Sequence, residues 1–342
     1  MDKIILQEEI MKKIIVFTLM LAVMSTAVFA GGGSQSGGSG LPGIGAAIYR
    51  YDDTFMSYVR NTIEQSAQGK AALTMVDSQN SQPTQNDQVD QFITRGMKAI
   101  AINPVDRTAS GVIIDKAKAR NVPVVIFNRE PFPEDMNKWD KVYYVGAVAA
   151  ESGTMQGEIA AEWWIANKGK DVPMRYIMLK GEPGHQDAEL RTEYSIKAVQ
   201  AAGITVQLLA EDTAMWQRPT AVEKMDAFWS RFGDQIDIVF CNNDDMALGA
   251  IESLRKAGFF TGGRYLPVVG VDATAPALQA LAEGTLLGTV LNDATNQGKA
   301  TFDLAYALAT GANPTTTAGK MDGRYCWVPY QKVTRDNYRN FQ

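Results

Sequence analysis

The feature that most constrains this chain is a rhythm. Short apolar runs at residues 44–49, 71–77, 99–103 and 122–128 alternate with longer helical patterns near 55–68, 84–96 and 109–120. Short apolar runs fit strands buried on both faces, and the longer periodic stretches fit the helices that cover them. The rhythm restarts after Gly146. Strands are expected at 175–180, 205–210, 236–241, 267–271 and 286–291, with helices near 151–166, 187–202, 216–232, 245–257 and 275–283. Alternating strands and helices specify a parallel sheet with helices on both faces. The expected architecture is α/β: two Rossmann-like, doubly wound units in tandem. A length of 342 residues accommodates two cores, at roughly 100–200 residues per domain.

The front of the chain stands outside this pattern. Lys12 and Lys13 precede an apolar run at 14–23, and Val28-Phe29-Ala30 ends in a small residue. A charged start, an apolar middle and a small-residue end describe a secretory signal peptide, with cleavage expected near Ala30. The apolar core is too short for a membrane span, which needs about 20 apolar residues. Met11 reads as the natural start, with residues 1–10 an extension. No cysteine stands at the cleavage site, so a lipid anchor there is excluded. Residues 31–42 begin GGGSQSGGSG and form a flexible linker. No later segment is apolar enough to cross a bilayer, so a soluble, periplasmic protein is expected.

Composition removes several function classes. The net charge is −5, and the leader does not contribute, because Lys3, Lys12 and Lys13 balance Asp2, Glu8 and Glu9. A duplex nucleic-acid binder carries a basic face, so that class is excluded. The one histidine, His185, rules out a multi-histidine metal site. Cys241 and Cys326 cannot make a disulfide scaffold or a four-thiolate zinc site, and stand as free thiols or as a buried pair. No phosphate-binding glycine loop follows a strand; Gly43 and Gly45 fall at the front of theirs.

Ligands of open α/β sheets bind outside the carboxyl ends of the strands. Polar residues gather there. Asp53 lies just past the first strand, and Asn128 follows VVIF. His185 and Asp187 follow the strand ending at Lys180, and Trp216 the one ending at Ala210. Asn242-Asn243-Asp244 follows DIVFC, Asp272 follows VVGV, and Asn292-Asp293 follows TVL. Each alone reads as a cap or turn residue; the set reads as a cleft. Its carboxylates, carboxamides, guanidinium and imidazole suit a ligand rich in hydroxyls, which both donate and accept. Phe55 and Trp216 suit the C–H faces of a sugar ring. Asp77, Asn80 and Asn103 read as turn or cap residues, and Trp163 and Trp164 as core.

The segments IYRYDDTFM (48–56), VIFNREP (125–131), LKGEPGHQDAELR (179–191), DTAMW (212–216), CNNDDMALGA (241–250), VVGVDA (268–273) and GTVLNDATNQGKATFDLA (288–305) resemble the periplasmic glucose/galactose-binding proteins. These are substrate-binding components of ABC sugar importers, in the type I periplasmic binding protein family. The likeness runs in order from about residue 43 to 330. It implies two lobes joined by three crossovers, near Gly146, near Asp293 and near 327–330. The N-terminal lobe would comprise 43–146 and 294–327, and the C-terminal lobe 147–293 and 328–342. Carried over by position, Asp53, Asn128, His185, Asp187, Arg191, Asn243, Asp272 and Asn292 would hydrogen-bond a hexose, with Phe55 and Trp216 sandwiching its ring. Asp53 would accept either epimer at the 4-hydroxyl, which implies D-glucose and D-galactose rather than ribose. The implied partner is an ABC sugar permease, with a chemoreceptor left open, for a monomer that binds no nucleic acid.

One stretch departs from the family. The relatives carry a calcium loop of spaced oxygen ligands, completed by an acidic residue of the second lobe. Here the loop reads KGKDVPMRYIML, about four residues shorter, with only Asp171 in register and Arg175 where a glutamine belongs. Calcium takes about six to eight oxygens. No calcium is therefore expected, and no other cofactor. Arg175 is expected to pair with Asp237, the distant acidic position, in place of the metal.

Two other functions compete with binding. A glycosidase would use two of Asp53, Asp187 and Asp272 around a scissile bond, one of them protonated. Their Asn, Arg and His neighbours favour the ionised form instead. A sugar-responsive regulator shares the fold, but the leader and the lack of a DNA-binding headpiece argue against it.

Overall fold

In the computed structural model, which describes residues 40–342, the alternating pattern becomes two separate sheets. The predicted leader and residues 31–39 of the linker lie outside the described residues. The first half runs β1 (Gly43–Ile48), α1 (Thr54–Ala67), β2 (Ala72–Asp77), α2 (Gln82–Thr94), β3 (Ala99–Ile102), α3 (Ser110–Ala119), β4 (Val124–Phe127), a single turn α4 (Pro133–Met136) and β5 (Val142–Gly146). The second half repeats the scheme with α5 (Ala149–Asn167), β6 (Met174–Lys180), α6 (Gln186–Ala201), β7 (Val206–Thr213), α7 (Arg218–Phe232), β8 (Ile238–Cys241), α8 (Asp244–Lys256), β9 (Val268–Val269), α9 (Ala275–Glu283) and β10 (Gly288–Leu291). Helix α10 (Ala294–Thr310) and strands β11 (Lys320–Asp322), β12 (Tyr325–Trp327) and β13 (Gln331–Thr334) close the chain.

The sheets read β11-β12-β5-β4-β3-β1-β2 and β13-β10-β9-β8-β6-β7. Strands β1 to β5 and β6 to β10 are all paired in parallel, in the same order. In both sheets winding reverses beside the first strand, at β1/β3 and at β6/β8. Those reversals open a crevice at the strand ends.

Side-chain alternation explains why the runs fold this way. In β3 and β4, Ala101, Val125 and Phe127 join a core on one face of the first sheet, and Ile100, Ile102, Val124 and Ile126 a core on the other. The second sheet is likewise covered on both sides. In α1, buried Phe55, Met56, Val59, Ile63 and Ala67 recur at helical spacing.

The chain passes between sheets three times: from β5 into α5, from β10 into α10, and from β12 into β13. Helix α10 packs in the core of the first sheet, β12 lies parallel to β5, and β13 pairs antiparallel with β10. Strand β5 was not expected; VYYVG ends in glycine without the polar residue that marks the other strand ends. Strand β9 is shorter than expected, covering Val268–Val269, and the backbone takes positive φ further on, at Asp272 and Ala273. The cysteines are free and buried, Cys241 in the second sheet and Cys326 in the first. Trp164 is buried as expected, whereas Trp163 is only partly covered, against Tyr265. Among the described residues no helix is long and apolar enough to cross a membrane.

Candidate functional site

One cavity between the two sheets is lined by Asp53, Phe55, Asn128, His185, Asp187, Arg191, Trp216, Asn243, Asp272 and Asn292, all ten residues singled out in the sequence. Three further residues line it: Tyr49, Met56 and Arg129. Met56 and Arg129 directly adjoin the marked Phe55 and Asn128, and Tyr49 lies four residues before Asp53; nearness in sequence is the signal they carried.

The first sheet contributes a fixed carboxylate. Asp53 caps α1, its Oδ1 accepting from the Met56 N–H at 2.7 Å. Its Oδ2 accepts from the Tyr49 hydroxyl at 2.6 Å. Phe55 stands on the first turn of α1, buried. Asn128 takes φ 64° at the end of β4, where its Oδ1 accepts from Asn103 Nδ2 at 3.3 Å. Asn103 is not a turn or cap residue. It is fully buried at the β1/β3 reversal, where its Oδ1 accepts from the Tyr49 N–H and its Nδ2 donates to the Phe127 carbonyl. At the β6/β8 reversal Asn242 does the same work, its Oδ1 accepting from the Gly181 N–H at 2.9 Å.

The second sheet contributes charge. Arg191 is buried and spends its donors on the Asn242 carbonyl (2.9 Å), Ser152 Oγ (3.2 Å), Asp187 Oδ2 (2.8 Å) and the Tyr330 hydroxyl (3.1 Å). Its Nη1 lies 3.9 Å from Asp272 Oδ1. Asp272 Oδ1 also accepts from Asn292 Nδ2 at 3.2 Å, and Asn292 Oδ1 from Gln297 Nε2 at 2.5 Å. Asn243 caps α8 through Met246 N–H and donates from Nδ2 to the Trp216 carbonyl at 3.3 Å. The Trp216 ring lies on Gly181, where a Cβ would stand 2.2 Å from Cζ2, so only glycine fits under the indole.

Burial sets the protonation. His185 Nδ1 accepts from the Asp187 N–H at 3.1 Å, which leaves the proton of the neutral ring on Nε2. Desolvation, then Arg129, Arg191 and Arg107, hold its pKa well below the usual histidine range. The carboxylates depart from expectation. Arg191 pulls Asp187 and Asp272 down, but desolvation outweighs it and raises both, Asp272 well above the ordinary aspartate value. Neighbouring donors were legible in the sequence; the depth of burial was not.

Beside the cavity, two bonds join loops of one sheet to loops of the other. Arg129, just past β4, donates from Nη2 to Glu182 Oε2 at 2.9 Å, and Gln186 Nε2 donates to Glu130 Oε2 at 2.5 Å. Arg129 also donates to the Val105 carbonyl and lies over the Tyr49 ring, 4.0 Å from its centroid.

Residues 44–313 match the family described as "Periplasmic binding protein domain". The chain belongs to the periplasmic binding proteins. It is 44% identical over 330 residues to the D-galactose/methyl-galactoside binding periplasmic protein MglB of Haemophilus influenzae, covering 94% of this chain and 98% of that one. It is 30% identical to the xylitol-binding protein of Mycolicibacterium smegmatis, over 84% of this chain and 77% of that one. Among solved structures it is similar to an ABC transporter solute binding protein from Bacillus halodurans with bound myo-inositol. There the TM-score is 0.76 at 29% identity, covering 90% of this chain and 99% of that one. The two α/β lobes described above are the fold of this family.

Away from the cavity, Arg175 and Asp237 form a two-pronged ion pair. Nη2 donates to Oδ1 at 2.8 Å and Nε to Oδ2 at 2.9 Å. The Arg175 N–H adds a bond to Oδ2 at 2.8 Å. Both oxygens of Asp237 are thus engaged, and Asp171 is exposed. Among the described residues no three of His, Cys, Asp and Glu gather as a metal site would need.

Proposed function

We propose that this chain is an exported hexose-binding protein that captures D-glucose, D-galactose or both between its lobes and delivers the sugar to an ABC importer. One observation carries the reading: two aromatic rings and eight hydrogen-bonding side chains, drawn from both lobes, line one cavity. A hydroxyl donates to a carboxylate and accepts from an amide, guanidinium or imidazole, and this cavity supplies each kind. The relative named for galactose and methyl-galactoside supports the hexose class. Binding across both lobes favours the closed form, and a permease then reads that shape. Wrong stereochemistry leaves buried groups unpaired, at about 1–3 kcal/mol each.

On this reading the leader is removed near Ala30, the protein acts in the periplasm as a monomer, and it engages neither nucleic acid nor calcium. Arg175 takes the place of a metal at Asp237. A chemoreceptor is a second partner to test.

One observation favours an enzyme instead: burial raises Asp272, as a glycosidase acid requires. The Arg191 and Asn292 contacts of Asp272 suit a hydroxyl acceptor better. Titration calorimetry with glucose, galactose and ribose, on the chain beginning at Gly31, tests the proposal. One-to-one binding of glucose or galactose with weak ribose is expected. Strong ribose preference, or steady turnover of a chromogenic glycoside, overturns it.

A further inference from the structure

Behind the cavity wall formed by Asn243, Asp272 and Asn292 lies a carboxylate that does not touch the cavity. Asp244 is the first residue of α8 and is fully buried. Its Oδ2 accepts from the Thr274 N–H at 2.9 Å and the Thr274 hydroxyl at 3.4 Å. Its Oδ1 accepts from the Thr289 hydroxyl at 2.7 Å, and its own N–H donates to the Val271 carbonyl at 2.8 Å. These bonds join three segments. The N-terminus of α8 presents Asn243, the loop at 270–274 presents Asp272, and the end of β10 leads to Asn292.

The loop requires a brace. Asp272 and Ala273 take φ 126° and 54°, conformations that residues with a Cβ adopt only when their surroundings impose them. An aspartate in the first turn of a helix has an ordinary explanation, the helix dipole, but an exposed one would serve that purpose. Here the carboxylate is withdrawn from water, and burial with the nearby Asp245 charge raises its pKa to about 6 against the pull of Thr289 and Thr274. Residue 270 also accommodates it: a Cβ on Gly270 would stand 2.3 Å from Asp244 Oδ1.

We infer that Asp244 is a positioning residue for ligand binding, fixing the 270–274 backbone so that the Asp272 carboxylate is presented to the ligand between Arg191 and Asn292. The readout rests on the sugar-binding reading above; the geometry does not.

The test is calorimetry with galactose and glucose on full-length variants, with melting curves as a folding control. Asp244→Ala removes all three bonds from Thr274 and Thr289 and is expected to weaken binding about 30-fold or more. Asp244→Asn restores it to within about threefold, because its amide oxygen still accepts from the Thr274 N–H and its Nδ2 donates to the Thr289 hydroxyl. In an Asp272→Asn background, Asp244→Ala costs under about threefold, since the residue it positions is already altered. Equal losses in both backgrounds, or an Asn variant as weak as Ala, overturn the inference. If Asp244→Ala does not fold, Thr289→Val decides: about a threefold to tenfold loss supports it, and no loss overturns it. If the wild-type chain binds neither sugar, the functional reading fails, and amide hydrogen exchange decides the positioning role alone. Thr274 is then expected to exchange about tenfold faster in Asp244→Ala, with β8 unchanged. Unaltered exchange at Thr274 overturns it.

Discussion

Arg129 and Glu182 belong to different lobes and meet at 2.9 Å beside the cavity. The arginine is buried and the glutamate three-quarters so, at 4% and 24% side-chain exposure. In an open form water would solvate both, so the bond counts only in the closed one. Glu182→Gln is expected to weaken hexose binding about 5- to 100-fold, corresponding to about 1–3 kcal/mol for an under-satisfied buried guanidinium. The loss should fall on the dissociation rate, read by stopped-flow tryptophan fluorescence. An unchanged rate would show that the strap does not hold the lobes together.

Trp216 and Trp163 provide an internal control. Trp216 is 7% exposed and lines the cavity on Gly181, whereas Trp163 packs at the surface against Tyr265. Trp216→Ala is expected to reduce hexose affinity by about 100-fold or more, in line with hot-spot aromatics. Trp163→Ala should leave affinity within about threefold, because it touches no cavity residue. Calorimetry on the two variants distinguishes them.

Binding should release protons. Asp187 and Asp272 have pKa values raised chiefly by desolvation. Hydroxyls donating to a carboxylate favour its ionised form, so the sugar lowers these values and expels protons. Affinity is then greatest above the raised pKa of Asp272 and declines as the pH falls through it. Calorimetry in buffers of different ionisation enthalpy measures the proton count; net uptake would contradict the assignment.

His185 should remain neutral under conditions that protonate an ordinary histidine. Burial and three arginines depress its pKa, and Nδ1 is occupied as an acceptor. As the protein's one histidine, its ring signals in NMR need no assignment. They should stay unshifted from pH 8 to below the ordinary value of about 6.5. The sign for stability follows. Below that pH the unfolded chain binds a proton that the folded site refuses, so this group disfavours folding as the pH drops. A normal titration curve would place the imidazole in water.

The Arg175–Asp237 pair predicts indifference to calcium. Chelator should not lower the melting temperature, and added calcium should not raise it. Arg175 is 37% exposed, so Arg175→Ala should cost about 1 kcal/mol or less. Calcium-dependent stabilisation would show that the ion pair does not take the place of a metal.

Much of this architecture is legible in residue order because local rules and the global fold agree. VVIF followed by asparagine reads as a buried strand with a polar end, and that is how β4 presents Asn128. Contacts between lobes are not legible: Arg129 and Glu182 lie 53 positions apart, on loops that either sheet alone would leave in solvent. Asn103 looked like a cap because an asparagine past a strand usually is one; its place under two neighbouring strand ends depends on sheet order. The raised pKa of Asp272 comes from burial, which sums contacts from every side and has no signature in neighbouring residues.

Both sheets receive their final edges from the last part of the polypeptide, β11 and β12 for the first and β13 for the second. Neither half is therefore complete until almost all of the message has been translated. A nascent chain of this kind lacks an edge strand of each sheet until synthesis is nearly over. A premature stop before Lys320 would leave two unfinished lobes rather than one intact lobe and one broken.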